Sequence, residues 1–350
     1  MLTIILGAGA SHDSAPVNSY GAKGNPWQPP LTKDIFLASQ VWCVRQDTVK
    51  FPDHLIPILD RIRRESSQVG VSMESVLEAL RSEMDSNPRR WPQLLAIQDW
   101  LCQVLTHCTD EWIRPLAGAT TLVDLAERLH DWRLQVNEPI NFITFNYDLL
   151  LEKAVDKCQI RPFNADGFDR YIRDEFNIFK PHGSVNWSYT VRFDTERNNI
   201  SDRPLSEAEK HSLILNCRAV APLSKRTTSM VNGVTSGELN ALAIPVVSKS
   251  HDDFIFPPGH KEKFFQTLNS TTAMLVIGWA AAEQHFMQEV ATRVRHDIPV
   301  LIVCGKGGGA ATISSLKVAG KLTNIVDSDS GFADFLNTAE LEDWLGKSAG

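Results

Sequence analysis

Three polar residues stand just past predicted strands, where their side chains could act together: Asn146, Asp148 and His182. An asparagine offers one acceptor and two donors, which suits sugar hydroxyls or a positioned water, and an aspartate accepts from an amide or hydroxyl. A histidine between proline and glycine can act as a general base near neutral pH. Each residue also has a structural interpretation. The asparagine could bond its own turn, the aspartate could stabilise a helix start, and a lone histidine is often structural.

A glycine turn stands at the first residues of the chain. The apolar run Leu2 to Leu6 predicts a strand buried on both faces, and Gly7-Ala8-Gly9 follows at once. Glycines let the backbone turn tightly and bring its N–H groups close to a phosphate. The dinucleotide fingerprint has a third glycine at the sixth position of the motif, where this chain has His12. The turn therefore predicts a nucleotide phosphate, with a tight turn that binds nothing as the alternative.

The elements that must position these residues alternate between strand and helix. Apolar, β-rich runs lie at 140–145, 177–180, 273–277, 299–304 and 322–326, and segments with helical spacing of apolar residues lie between most of them. This order predicts an α/β fold with a doubly wound, parallel, Rossmann-like sheet. Ligands of such sheets lie beyond the carboxyl ends of the strands.

Five polar or glycine-containing motifs lie just past the ends of predicted strands. We therefore expect one crevice that collects Gly7 to Ser11, Asn146 to Asp148, His182 to Ser184, Gly278 and Gly305.

Between the first strand and the next lies a long stretch without a convincing strand. Apolar residues at helical spacing occupy 33–45, 53–66, 73–84 and 91–108. We expect residues 31–119 to be a helical insertion, and residues 1–30 and 120–350 to form the α/β domain. Residues 12–30 are rich in Gly, Pro, Asn and Ser and predict a loop that covers the nucleotide. The polar segments 190–212 and 224–240 predict surface loops or insertions.

Composition excludes several classes of protein. The chain has 350 residues, 43% of them hydrophobic, and a net charge of -7, which argues against direct nucleic-acid binding over its surface. No apolar run approaches the length of a membrane span, and no signal peptide is recognisable, so we expect a cytoplasmic protein that does not bind membranes. The six cysteines form no C-x-x-C pair, which predicts buried thiols and no metal site.

The motifs carry a resemblance as a set. Their order resembles the sirtuin-like superfamily and, more narrowly, its bacterial branch of NAD-consuming antiviral defence proteins. The motifs are Gly7-Ala8-Gly9-Ala10-Ser11, Thr144-x-Asn146-Tyr147-Asp148, Lys180-Pro181-His182-Gly183-Ser184 and Ile277-Gly278-Trp279. The resemblance covers roughly residues 1–30 and 120–310. Sirtuin deacetylases carry a zinc module with two cysteine pairs that this chain lacks, which argues against acyl-lysine removal.

The resemblance implies NAD as substrate and cleavage of its nicotinamide–ribose bond, with Asn146 and His182 as catalytic residues. It implies NAD-binding roles for Gly7, Ala8, Gly9, Ser11, Asp148, Gly183, Ser184, Gly278 and Gly305. Asp148 would bind the nicotinamide carboxamide, and Gly278 and Gly305 would leave room for the adenosine half.

Alternatives remain open. One is a module that senses NAD or ADP-ribose without catalysis, and another is an NAD-dependent deacylase or ADP-ribosyltransferase. Because an unregulated NADase would kill its host, we expect control by homo-oligomer assembly or by a partner. In related systems that partner is a HerA-type ATPase or a short Argonaute.

Overall fold

The computed structural model describes residues 1–16, 27–31, 35, 56–68, 71–84, 86–87, 90–160, 167–173, 175–191, 227–232, 239–243, 254–257 and 259–348. The strands in these ranges are β1 (Leu2–Leu6), β2 (Ile140–Thr144), β3 (Phe176–Phe179), β4 (Gly183–Val191), β5 (Thr227–Asn232), β6 (Leu239–Leu242), β7 (Ala273–Ile277), β8 (Val300–Val303) and β9 (Ile325–Asp327). The helices are α1 (Ala8–His12), α2 (Ile56–Ser66), α3 (Met73–Ser82), α4 (Arg90–Ile113), α5 (Thr121–Val136), α6 (Leu150–Lys157), α7 (His260–Asn269), α8 (Gln284–Arg293), α9 (Gly309–Val318), α10 (Phe332–Leu336) and α11 (Glu340–Ser348).

Six strands form one parallel sheet in the order β3-β2-β1-β7-β8-β9. β1 pairs with β2 on one side and with β7 on the other, so that Leu6 lies opposite both Thr144 and Ile277. The chain therefore builds the sheet outward in both directions from β1. This confirms the predicted doubly wound, Rossmann-like α/β fold. In such a sheet the ligand crevice opens at the carboxyl ends, where the strand order reverses between β1 and β7.

Both faces of the sheet are covered by helices, because successive side chains of a strand point to opposite faces. Ile4 packs on the face covered by α5, α6, α10 and α11. Its neighbour Ile5 packs on the opposite face, with apolar side chains of α7, α8 and α9. Both isoleucines are 0% exposed. The continuous apolar run at the start of the chain is thus explained by burial on two sides.

Helices α2, α3 and α4 pack around a third apolar cluster, which includes Ile62, Leu77 and Trp100. Ser72 caps α3 by accepting a hydrogen bond from the Ser75 N–H. Val185 of β4 joins the same cluster, so these helices contact the α/β part of the chain. No strand is described between β1 and β2, as expected for a helical insertion. The predicted helix at 33–45 lies outside the described residues except for Ile35, and the domain boundaries stay a prediction.

A second sheet, which the sequence analysis did not predict, follows β3. It is antiparallel and has the order β5-β4-β6. The prediction of loops at 190–212 and 224–240 is therefore wrong for the end of β4, for β5 and for the start of β6, while residues 192–226 and 233–238 lie outside the described residues. The prediction rested on the many polar residues of these segments, which lack the apolar runs of the main sheet. β4 does show a strand pattern, because its residues alternate between apolar and polar.

None of the described helices combines the length and the apolar character that crossing a membrane requires.

Candidate functional site

The glycine turn after β1 is pressed against the end of β7. The Gly7 N–H donates to the Ile277 carbonyl at 3.0 Å, and the Gly9 N–H donates to the Gly278 carbonyl at 2.9 Å. A Cβ on Gly7 would lie 2.5 Å from the Gly278 oxygen, and a Cβ on Gly278 would lie 2.2 Å from the Ala10 nitrogen. Glycine is required here because two backbone segments touch.

This contact changes the predicted role of the turn. Contrary to expectation, the N–H groups of Gly7 and Gly9 are not available to a phosphate, because each already donates to a backbone carbonyl. The Ala8 N–H has no hydrogen-bond partner among the described residues.

Asn146, Ser11 and Asp148 form one hydrogen-bonded chain. The Asn146 Nδ2 donates to the Gly7 carbonyl and to the Ser11 Oγ, both at 2.8 Å. The Ser11 hydroxyl in turn donates to the Asp148 carboxylate at 2.7 Å. The other oxygen of that carboxylate accepts from the Leu150 N–H at 2.9 Å. The predicted site residues that follow β1 and those that follow β2 are thus joined directly.

The orientation of the Asn146 amide follows from its partners. The Gly7 carbonyl can only accept, so the atom that faces it must be the amide nitrogen. Both donors of that nitrogen are used, which leaves Oδ1 without a partner among the described residues. Asn146 therefore offers a fixed acceptor, suited to a hydroxyl or a water.

His182 lies in the same cleft and is 4% exposed. Its ring packs against Phe145 and Tyr147, with ring centroids 5.0 and 6.0 Å apart. Its carbonyl accepts from the Ala243 N–H at 2.8 Å, which fixes the backbone as well. The imidazole is held between aromatic neighbours beside the Asn146 turn.

An aromatic wall, formed by Phe145, Tyr147 and Trp279, lines the cleft. The Phe145 and Trp279 rings stack with their centroids 5.3 Å apart, and the Trp279 indole N–H donates to the Glu283 carboxylate at 2.6 Å. The sequence analysis gave these side chains no role. The available signal was an aromatic residue directly beside Asn146 and directly after Gly278.

Tyr147 is held in its neutral form. Burial raises the pKa of its phenol, and the nearby carboxylates of Glu283 and Glu74 raise it further. The hydroxyl donates to the Ala243 carbonyl at 2.7 Å. Tyr147 therefore lines the cleft as a neutral phenol whose hydroxyl proton is used in a hydrogen bond to the backbone.

The cleft has a volume of about 940 Å³ and extends from the sheet edge to the helical layer, where Glu74, Cys108 and Thr109 line it. The predicted site residues that it brings together are Gly7, Ala8, Gly9, Ser11, Asn146, Asp148, His182, Gly278 and Gly305.

Two predicted site residues lie beside the cleft instead of lining it. Gly183 has a φ of +79° and begins β4. Ser184 is 0% exposed, and its hydroxyl donates to the Tyr147 carbonyl at 3.4 Å. Both residues therefore belong to the start of β4, directly after His182.

The acidic residues that line the cleft are not balanced by lysine or arginine among the described lining residues. The lining includes the carboxylates of Asp13, Glu74, Asp148 and Glu283. Burial raises the pKa of Asp13 and raises the pKa of the Cys108 thiol to about 12. In the described part of the chain, no group of three or more His, Cys, Asp or Glu residues is arranged to hold a metal ion.

Part of the predicted covering loop lies over the cleft. Gln28, Pro29 and Pro30 line it, and the His12 ring lies 2.7 Å from the Pro29 carbonyl. Residues 17–26 of the loop lie outside the described residues.

No protein-family model matches the sequence, and a search of curated proteins finds no match. Several solved structures are similar. A Sir2 homologue in complex with NAD is 11% identical, with 100% of this chain and 90% of that chain covered and a TM-score of 0.37. Sir2 in complex with the inhibitor EX-527, 2'-O-acetyl-ADP-ribose and a deacetylated p53 peptide is 12% identical, with 99% and 94% covered and a TM-score of 0.40. Sir2 bound to an acetylated peptide is 13% identical, with 99% and 94% covered and a TM-score of 0.36. The overlap is loose, and nothing about the site of this chain follows from it.

Proposed function

We propose that this chain is an NAD⁺ glycohydrolase of the sirtuin-like superfamily, which hydrolyses the nicotinamide–ribose bond to give nicotinamide and ADP-ribose. The observation that carries the proposal is the meeting of the Asn146 acceptor, the Ser11–Asp148 pair and the His182 ring in one cleft. The cleft opens where the strand order of the sheet reverses, which is the place where such folds bind nucleotides.

The dinucleotide would lie across this crevice. Its pyrophosphate would pass the turn at Ala8, its nicotinamide half would lie toward Asn146, Asp148 and His182, and its adenosine half would lie toward Gly305. Ligand pockets have volumes of roughly 300–1,000 Å³. The volume of this cleft, about 940 Å³, lies near the upper end of that range. The cleft can therefore hold a ligand as long as NAD.

The charge of the lining fits a substrate whose reacting end is cationic. The nicotinamide ring of NAD⁺ carries a positive charge, and cleavage moves positive charge onto the ribose. Asp148, Glu74 and Glu283 stand on the lining, with no opposing cation among its described residues. Carboxylates held in place before the reaction stabilise such charge without having to reorganise.

The chemical step needs only water as co-reactant. The bond between C1′ of the ribose and the nicotinamide nitrogen breaks, and its electron pair stays with the neutral nicotinamide. The water oxygen bonds to C1′ and its proton leaves to His182 and then to solvent. Oδ1 of Asn146 accepts a hydrogen bond from the water or from a ribose hydroxyl and so sets the direction of attack.

Nicotinamide release tests this assignment. The purified protein is incubated with NAD⁺, and nicotinamide and ADP-ribose are quantified by chromatography. We expect His182→Ala to reduce turnover by about 10²- to 10⁴-fold, the usual contribution of a positioned acid–base group. Asn146→Ala should reduce it by about 10²- to 10³-fold, the usual cost of losing one positioned hydrogen-bonding group. His296→Ala is the matched control, since His296 is exposed and lies outside the cleft. Full turnover in either cleft variant would contradict the assignment. Absent turnover with intact NAD binding would favour the sensing module.

The resemblance extends the proposal to biology: a regulated effector of antiviral defence that depletes NAD. Its activity would depend on homo-oligomer assembly or on a partner such as a HerA-type ATPase or a short Argonaute. Mass photometry together with the nicotinamide assay, with and without each partner, tests this extension. Full activity of a monomer without any partner would contradict it.

A further inference from the structure

A lysine is completely buried beneath the Asn146–Asp148 turn. Lys180 directly follows β3 and is 0% exposed. Its Nζ donates to the Glu152 carboxylate at 2.8 Å, to the Asp148 carbonyl at 2.5 Å and, more distantly, to the Tyr147 carbonyl at 3.5 Å. Glu152 lies in the first turn of α6 and is also buried.

Stability alone does not explain this ion pair. A buried pair loses hydration that its mutual attraction often fails to offset, and well-packed apolar residues in its place are often neutral or stabilising. The pair is also incompletely satisfied. Oε1 of Glu152 accepts from Lys180 and from the Tyr171 hydroxyl at 3.2 Å, whereas the buried Oε2 has no hydrogen-bond partner among the described residues.

Besides Glu152, Lys180 contacts the backbone of the turn after β2. Its two carbonyl acceptors belong to Tyr147 and Asp148, next to Asn146, which lines the cleft. Lys180 itself stands two residues before His182. One ammonium group therefore ties the turn after β2 to the turn after β3, and these turns carry the two proposed catalytic side chains.

We infer that Lys180 is a positioning residue for the reaction at this site: from outside the cleft, it fixes the Asn146–Asp148 turn relative to His182. The inference rests on the proposed function. Glu152 then holds the ammonium group of Lys180 in place through the ion pair, so that the N–H groups of Lys180 point at the carbonyls of Tyr147 and Asp148.

Kinetics separate positioning from mere stability. Lys180→Met removes the donors and leaves Glu152 unpaired, so it also destabilises the fold. The double variant Lys180→Met/Glu152→Leu removes both charges together and restores an apolar interior. We expect kcat of the double variant to fall about 10²-fold, as expected for reacting groups displaced by about 1 Å. KM for NAD⁺ should change less than kcat, because the glycine turn and the ends of β7 and β8 are untouched and only the contact of Asp148 with the nicotinamide end is displaced.

A matched control comes from the same two strands. Asn177 of β3 donates to Asn141 of β2 at 2.7 Å, also fully buried but at the other end of the strands. Asn177→Ala should lower the melting temperature and leave kcat unchanged. A double variant with wild-type kcat would overturn the inference.

A crystal structure of the double variant makes the test independent of turnover. We expect the Asn146–Asp148 turn to shift relative to His182. A folded double variant with this turn unmoved overturns the inference whatever the activity. Conversely, a wild-type protein that does not cleave NAD⁺ either alone or with any of the candidate partners refutes the proposed function, while a shifted turn would still support the positioning role.

Discussion

The contact between the glycine turn and Gly278 allows a quantitative test of how the site is held together. Gly278→Ala adds one methyl group at a position with a φ of +58°. The new Cβ would lie 2.2 Å from the Ala10 nitrogen and 2.4 Å from the Gly9 carbonyl carbon, both backbone atoms that no side-chain rotation can move away. The turn after β1 must therefore separate from the end of β7.

The cost has two parts. A left-handed conformation costs a non-glycine residue roughly 1–2 kcal/mol. Overpacking that forces the backbone to shift costs about 1–3 kcal/mol more. Gly278→Ala should thus lower the free energy of unfolding by about 2–5 kcal/mol. It should also reduce nicotinamide release, because the Gly9 to Gly278 hydrogen bond holds the turn that carries Ser11.

Gly305→Ala is the matched control. Gly305 has a φ of +74°, but a Cβ there would meet no atom within 4 Å. It should therefore lose only the conformational part, about 1–2 kcal/mol. Urea denaturation followed by circular dichroism compares the two variants at the same temperature and pH. Equal losses in the two variants would refute the claim that close backbone approach requires glycine at 278.

Two further predictions concern buried polar groups. The His260 Nε2 donates to the Phe168 carbonyl at 3.2 Å, its buried Nδ1 has no partner among the described residues, and burial lowers its pKa to about 4 from 6.5. Since the unfolded chain then binds more protons between these values, stability should be intact above pH 6.5 and fall by about 3 kcal/mol as the pH drops to 4. Thermal melts should show a flatter pH profile for His260→Gln, and an unchanged profile would contradict the assignment. Ser11→Ala breaks the link between Asn146 and Asp148 and should cost about 1–3 kcal/mol of stability as well as most of the NAD⁺ turnover. Ser14→Ala is its control, because Ser14 is equally buried but accepts from the Trp112 indole outside the cleft, so it should lose stability and keep turnover.

Much of the fold could be predicted because each strand of the main sheet corresponds to a recognisable local pattern of apolar residues. Strands buried on both faces are largely apolar, so β1, β2, β7 and β8 appear as short apolar runs in which Thr3 and Asn141 are buried exceptions. Helices α5 and α6 show the spacing of one buried face. The second sheet escaped prediction because β5 is mostly polar, β4 alternates apolar with polar residues, and β6 is only four residues long, so none of them shows a continuous apolar run.

For the site, too, some features follow from the sequence and others only from the tertiary structure. The sequence by itself determined which motifs end strands, and the rule for parallel sheets then placed Asn146, His182 and the glycine turn at one edge. The tertiary structure alone decided which atoms remain free. Gly7 and Gly9 lose their N–H groups to the end of β7, and Asn146 keeps only its oxygen for a ligand. These outcomes depend on partners far away in the chain, such as Ser11 and Asp148, which are 137 residues apart. Local sequence patterns fix which element a residue joins, whereas hydrogen bonds between elements form only once the sheet has brought the strand ends together.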